Sequence, residues 1–274
     1  MIDTHTSIEE IEKYIKNHKK SPIKFNITWL NNTAKHRISF ILEEILKKYN
    51  ISRYKDDCIY IIMELISNAI KARYLHIITI NKLISKFPDF LVKIDNGEYF
   101  NDYEIMGEYS NIIKDKESLK ELKEFIKLEN KLIKDIDNNI KIDKNKYSKL
   151  LLCSCDEKKK LTINLIIRLN KNNIELEIVN DAPLTMISRT RIDSKRLTFK
   201  EYYMQNLIEN FFTEQLDNTE SAGFGLALCD LRLFNQNLEP KDHLKIYDEN
   251  HKTHSKLILP IKKKGFSLIS YNKY

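Results

Sequence analysis

Glu64, Asn68 and Lys71 stand four and three residues apart, so on a helix they place a carboxylate, an amide oxygen and an ammonium on one face, a turn from each other. An amide oxygen suits a hard cation that keeps most of its water, a lysine offsets phosphate charge, and a carboxylate can take up a proton. A solvated polar face has the same composition, so the trio needs partners elsewhere in the chain. One candidate is Ser221-Ala222-Gly223-Phe224-Gly225-Leu226-Ala227-Leu228. The chain has only five glycines, and two of them stand here ahead of an apolar helix, where backbone can approach a phosphate and helix N–H groups can bind it. The other is Ile178-Val179-Asn180-Asp181-Ala182-Pro183-Leu184, a polar acceptor at a strand end with a tight turn behind it.

The elements that must hold these segments follow from periodicity. Residues 1–22 read as a short polar helix and a lysine-rich link. Ile23 to Leu30 alternates as a half-buried strand. Asn32 or Thr33 can cap a helix whose Ile38, Ile41, Leu42, Ile45, Leu46 and Tyr49 share a face. A second helix, from about Arg53 to Tyr74, carries the trio beside an apolar stripe of Cys58, Ile61, Ile62, Leu65, Ala69 and Ala72. Two strand-like pieces follow, His76 to Ile84 and Asp89 to Ile94. Residues 98–159 turn charged and helical and read as an inserted subdomain. A hairpin joins the strands around Leu165 and Leu176 through Asn170–Asn173, residues 185–222 are polar and basic, and a helix begins near Gly225. His243–Tyr247 and Lys256–Leu259 form a last hairpin, and 263–274 a tail. The order predicts an α+β fold, a two-layer sandwich of a mixed β-sheet covered by helices on one face, with a helical insertion.

Composition narrows the classes. Apolar residues at 42% of 274 can supply a core, and no run approaches the roughly 20 apolar residues of a membrane helix, so no membrane partner is expected and the location expected is cytoplasmic. The four cysteines include one Cys153-x-Cys155 pair without a second pair, which fits reduced thiols rather than a zinc site. The formal charge of +7 is spread along the chain among acids, a pattern that does not favour a dedicated nucleic-acid surface.

Taken jointly, the three segments resemble the signature of the GHKL ATPase superfamily, to which the histidine-kinase catalytic domains belong. Glu-Leu-Ile-Ser-Asn-Ala-Ile-Lys at 64–71 resembles its N box, Gly-Phe-Gly-Leu-Ala-Leu at 223–228 its second glycine box, and Val-Asn-Asp-Ala-Pro at 179–183 its first. The resemblance implies a Bergerat-type ATP-binding fold over 23–262, interrupted by the insertion, with ATP and Mg2+ as cofactors. It implies Glu64 as general base, Asn68 as magnesium ligand, Lys71 on phosphate, and Asn180 or Asp181 on the adenine amino group beside Ala182. Ala222, Gly223, Phe224, Gly225 and Leu226 would wrap the triphosphate under a lid of 185–222, with Phe211-Phe212 as its aromatic box. Ala182 and Leu184 depart from the first box's glycines, and Ser221 from the second's. A rival first box, Ile94-Asp95-Asn96-Gly97, would leave an unusually long lid.

His36 is followed by Arg37-Ile38-Ser39, not the acid and proline usual after a phosphoacceptor histidine, so the layout is more similar to stand-alone members, anti-sigma-factor kinases among them. Such a protein would act on a protein partner, either as a kinase or ATPase or as a nucleotide-binding module that gates the partner by lid closure. His251 and His254, without an acid or cysteine at ligand spacing, read as turn residues.

Overall fold

The computed structural model describes residues 6–17, 22–87, 89–90, 101–155, 162–216 and 224–261. Helix α1 spans Ile8–Asn17. Although its composition is polar, it buries Ile11 and Ile15 in the main core. Strand β1 covers Ile23–Ile27 with alternating burial. Helix α2, Asn32–Lys48, is capped one residue earlier than expected: the Asn31 side chain accepts from the Ala34 N–H at 2.8 Å. Ile38, Ile41, Leu42, Ile45 and Leu46 are buried as the spacing predicts, joined by Ala34, while Tyr49 is the C-cap residue and only partly buried. A 3-10 turn at Ser52–Tyr54 leads into α3, Lys55–Lys86, with Asp56 and Asp57 favourably placed in its first turn.

The expected strand at His76–Ile84 is instead the continuation of α3. Its β-branched residues mimic a strand, but no glycine or proline interrupts the chain before Pro88, and His76, Thr79 and Leu83 recur at helical spacing on the buried face. The helix stops at Phe87, extended at φ −121° as a residue before proline prefers. Of the second expected strand only Asp89 and Phe90 are described, neither in a strand.

The extension is buried by the insertion, whose helices are α4 (Tyr103–Ile112), α5 (Lys116–Asp137) and α6 (Ser148–Cys155). His76 meets the Tyr109 hydroxyl at 2.7 Å, and burial lowers its imidazole to about 4. Arg73 lies 3.6 Å from Glu129 with both side chains buried, and its guanidinium donates to the Thr28 carbonyl. Phe125, Leu132, Tyr147 and Leu150 enter the main core, so the insertion packs as part of the domain.

Strands β2 (Ile163–Leu169) and β3 (Asn173–Asn180) form the expected hairpin. After helices α7 (Met186–Met204), α8 (Ile208–Leu216), α9 (Phe224–Asn235) and the short α10 (Pro240–His243) come β4 (Leu244–Glu249) and β5 (Lys252–Pro260). The last pair turns through Asn250 and His251, both at positive φ, 52° and 59°, the conformation that matches a two-residue hairpin to strand twist. Sheet order is β1-β2-β3-β5-β4. A mixed sheet was expected; every pairing among the described residues is antiparallel. The fold is therefore α+β with one open five-stranded antiparallel sheet. Among the described residues no helix is long and apolar enough to cross a membrane. Cys58 and Cys229 are buried free thiols.

On one face of the sheet Leu165, Ile167, Leu176, Ile178, Leu257 and Leu259 pack in the core with α2 and α3. The opposite face gathers charge around Glu177, which is 2% exposed. Arg168 bonds its Oε2, and Tyr247 donates to Oε1 at 2.7 Å while His254 Nδ1 sits 3.1 Å from the same oxygen. Burial by itself would raise this carboxyl; the hydrogen bonds from Arg168, Tyr247 and His254 outweigh it and hold it down at about 2. A depressed carboxylate contributes stability above its unfolded value of 4.5, and that contribution fades as pH falls toward 2. Glu177→Gln is expected to cost about 2–3 kcal/mol at pH 7 and to flatten the acid limb of the stability curve below about pH 4.5, measured by denaturant unfolding across pH.

Candidate functional site

Three segments distant in sequence line one cavity of about 330 Å3 between α3, α7, α9 and the sheet. Helix α3 supplies Glu64, Asn68 and Lys71, the end of β3 supplies Asn180, and the start of α9 supplies Gly225 and Leu226. Spacing on α3 puts its three side chains on the face toward α9 and the end of β3, because the stripe of Ile61, Leu65 and Ala69 beside them is buried.

The tightest feature is the approach of α9 to α3. A Cβ on Gly225 would stand 1.9 Å from Glu64 Oε1, so with any larger residue the Glu64 side chain would have to leave the position it holds between the two helices. The Asn68 amide nitrogen donates to the same oxygen at 3.1 Å. That bond turns the Asn68 Oδ1 away from Glu64 and leaves it as the oxygen without a partner among the described residues.

Asn180 and Asp181, left as alternatives by the sequence, have different surroundings. Asn180 continues the inward alternation of Leu176 and Ile178, is 4% exposed and lines the cavity. Its Oδ1 accepts from the Ala182 N–H at 2.9 Å. Asp181 is held by Lys252 at 2.6 Å and by the Thr162 N–H and hydroxyl at 2.7 and 2.8 Å; burial tends to raise its carboxyl, but those bonds win and lower it. It does not line the cavity. Nor does Ala182, a buried residue whose carbonyl accepts from the Thr253 N–H and hydroxyl, nor Phe224, whose ring lies 5.6 Å from Phe212. Ala222 and Gly223 lie outside the described residues, as does the rival segment Ile94–Gly97.

Sequence reasoning missed the wall contributed by α7. Ser188, Arg191 and Lys195 line the cavity opposite α3; their spacing of three and four on a basic segment was the available signal. Arg191 and Lys195 join Lys71 in bringing positive charge to a cavity that Glu64 also lines, and the first turn of α9 borders the same space. Arg196 fixes this wall. It grips the buried Asp230 with two bonds of 2.8 Å and donates to the Leu244 carbonyl at 2.9 Å. Burial raises the Asp230 carboxyl and Arg196 opposes the rise without cancelling it. Of the expected lid at 185–222, the described residues 185–216 form two helices, and Phe199 and Phe211, 5.1 Å apart edge to face, close an aromatic cluster with α9. Thr253 and Ser255, on the sheet floor, were likewise not anticipated. His254 lies in β5 against Glu177, outside the turn where it was expected.

Comparison of the chain with protein-family models, with curated proteins and with solved structures returns no match.

The Gly225 contact generates a test that needs no ligand. Alanine in a helix is worth about 1 kcal/mol over glycine, so Gly225→Ala in a Glu64→Ala background is expected to stabilise by about that amount. In the wild-type background the same change should be neutral or destabilising. A double-mutant cycle by urea unfolding measures the difference, and additivity would count against the contact.

Proposed function

We propose that this cavity binds a magnesium nucleoside triphosphate, ATP in the first instance, as the resemblance to the GHKL ATPases implies, and that the antiparallel sheet with its covering helices is a Bergerat-type fold carrying a helical insertion. The observation that carries the reading is the meeting of Glu64, Asn68 and Lys71 with Asn180 and Gly225 around one cavity, since each of these segments carries residue types suited to the same chemistry. The cavity lies at the lower end of the roughly 300–1,000 Å3 usual for small-molecule sites. Lys71, Arg191 and Lys195 suit a polyanion.

The residues fit a magnesium ion. Asn68 Oδ1 is a neutral oxygen set beside a carboxylate, in a cavity with room for the ion's water. When bound, magnesium neutralises phosphate charge and orients the triphosphate. In this reading Asn68 and Glu64 hold the ion's surroundings, Lys71 and the α7 cations hold phosphate oxygens, and Glu64 accepts the proton of the attacking water or hydroxyl. The α7 wall and the aromatic cluster exclude solvent. The protein would be a cytoplasmic signalling kinase or ATPase transferring the γ-phosphoryl group to a protein partner or to water.

The second reading is a regulatory module that binds the nucleotide without turning it over and gates a partner. What favours it is Leu184, which lines the cavity where the family pattern has a glycine, and the Arg196–Asp230 bridge, which ties α7 to α9.

Calorimetric titration with ATP is the test. Binding should strengthen at least tenfold with magnesium, and Asn68→Ala should remove that gain. Glu64→Gln should keep binding and abolish phosphate release. Absence of ATP binding with and without magnesium would end the nucleotide reading; binding with equal, near-zero turnover in wild type and Glu64→Gln would select the regulatory module.

A further inference from the structure

At the inner end of the cavity the sheet presents three polar side chains. Asn180 on β3 pairs with Thr253 on β5, and Ser255 follows two residues along β5 on the same face. Their hydrogen-bonding capacities are set by what the protein already uses. Asn180 Oδ1 takes the Ala182 N–H at 2.9 Å, and an amide nitrogen at that position would set N–H against N–H, so the orientation of the carboxamide is determined by the backbone. The Nδ2 group has no partner among the described residues, although the residue is 4% exposed and lines the cavity. The amide donor is therefore open to the ligand-sized space that the residue lines. Thr253 is in the opposite situation. Its hydroxyl donates to the Ala182 carbonyl at 2.7 Å, which consumes its one hydrogen and leaves only lone pairs for a ligand. Asp181, the carboxylate at the same strand end, is held by Lys252 and Thr162 and gives the cavity no acceptor.

A ring edge that engages the Asn180 Nδ2 group must offer it an acceptor and, next to that, a donor to Thr253. A 6-oxopurine offers this pair, its carbonyl at position 6 beside the protonated N1. Adenine has a donating amino group at position 6 and an accepting N1, so presented the same way it would set N–H against N–H at Asn180 and lone pair against lone pair at Thr253. We infer that the base pocket formed by Asn180 and Thr253 accepts 6-oxopurine nucleotides at least as well as adenine nucleotides. The inference rests on the nucleotide reading proposed above and names the class of base that site takes.

Inosine triphosphate is the cleanest probe, because it differs from ATP only at position 6 and the N1 proton. Dissociation constants for magnesium–ITP and magnesium–ATP are measured by calorimetry on the full chain. ITP is expected to bind as tightly as ATP or more tightly. Asn180→Asp, which swaps the donor for a charged acceptor, should shift the ratio at least tenfold toward ATP, and Thr253→Val should weaken ITP more than ATP. Tenfold or greater preference of the wild type for ATP overturns the inference without any variant, and so does an unchanged ratio in folded Asn180→Asp, while leaving the nucleotide reading standing. Failure of both nucleotides to bind overturns the nucleotide reading and the inference with it.

Discussion

The arrangement of the cavity depends on how closely α9 comes to α3. Gly225 leaves no room for even a methyl group against the Glu64 carboxylate. A half-buried carboxylate in that position needs hydrogen-bond donors, and Asn68, one turn along α3, provides one. With Glu64 pinned between two helices, Asn68 is oriented in turn, and the oxygen it presents is selected by the bond its nitrogen makes. The placement of Glu64 and Asn68 is thus coupled to the packing at one glycine.

The same dependence extends to the wall opposite. Helix α7 is polar and has little apolar surface to bury, with Phe199 its one fully buried residue. It is held mainly through Arg196, whose fork meets the buried Asp230 of α9 and two backbone carbonyls. Breaking such a pair leaves a buried charge without its partner, which is far more costly than the pair itself is favourable. Because α9 carries both Gly225 and Asp230, it ties the floor of the cavity to its cover. A movement of α7 must work against that bridge and against the aromatic cluster of Phe199, Phe211 and Phe212.

On the other side, α3 is longer than a site helix needs to be, and its far half is built into the insertion. Arg73, two residues past Lys71, is shared among Glu129, the Thr28 carbonyl and the rings of Trp29 and Tyr74. The pair is not fully satisfied, since Arg73 Nε and Glu129 Oε1 lack hydrogen-bond partners among the described residues. Burial pushes the Glu129 carboxyl up against the pull of Arg73. Apolar packing such as Tyr74 on Phe125 therefore carries the attachment.

Local pattern alone was sufficient for much of this. The stripes of α2 and the near half of α3, the β2–β3 and β4–β5 hairpins and the helix start near Gly225 are written in residue type and period, because each depends on neighbours within a few positions. So is the inward direction of Asn180, which continues the two-residue alternation of Leu176 and Ile178. What only the tertiary structure decided involves partners far along the chain. The run His76–Ile84 is β-branched and would pass for a strand; it is helical because α4 and α5 bury one of its faces. Asp181 was a competitor to Asn180 until Lys252 of β5 and Thr162, just ahead of β2, occupied its oxygens. Arg191 and Lys195 were part of a basic stretch with no stated direction until Arg196 docked on Asp230. Contacts between distant residues leave no mark on the periodicity of either segment, and for that reason the cavity's composition was half legible and its shape was not.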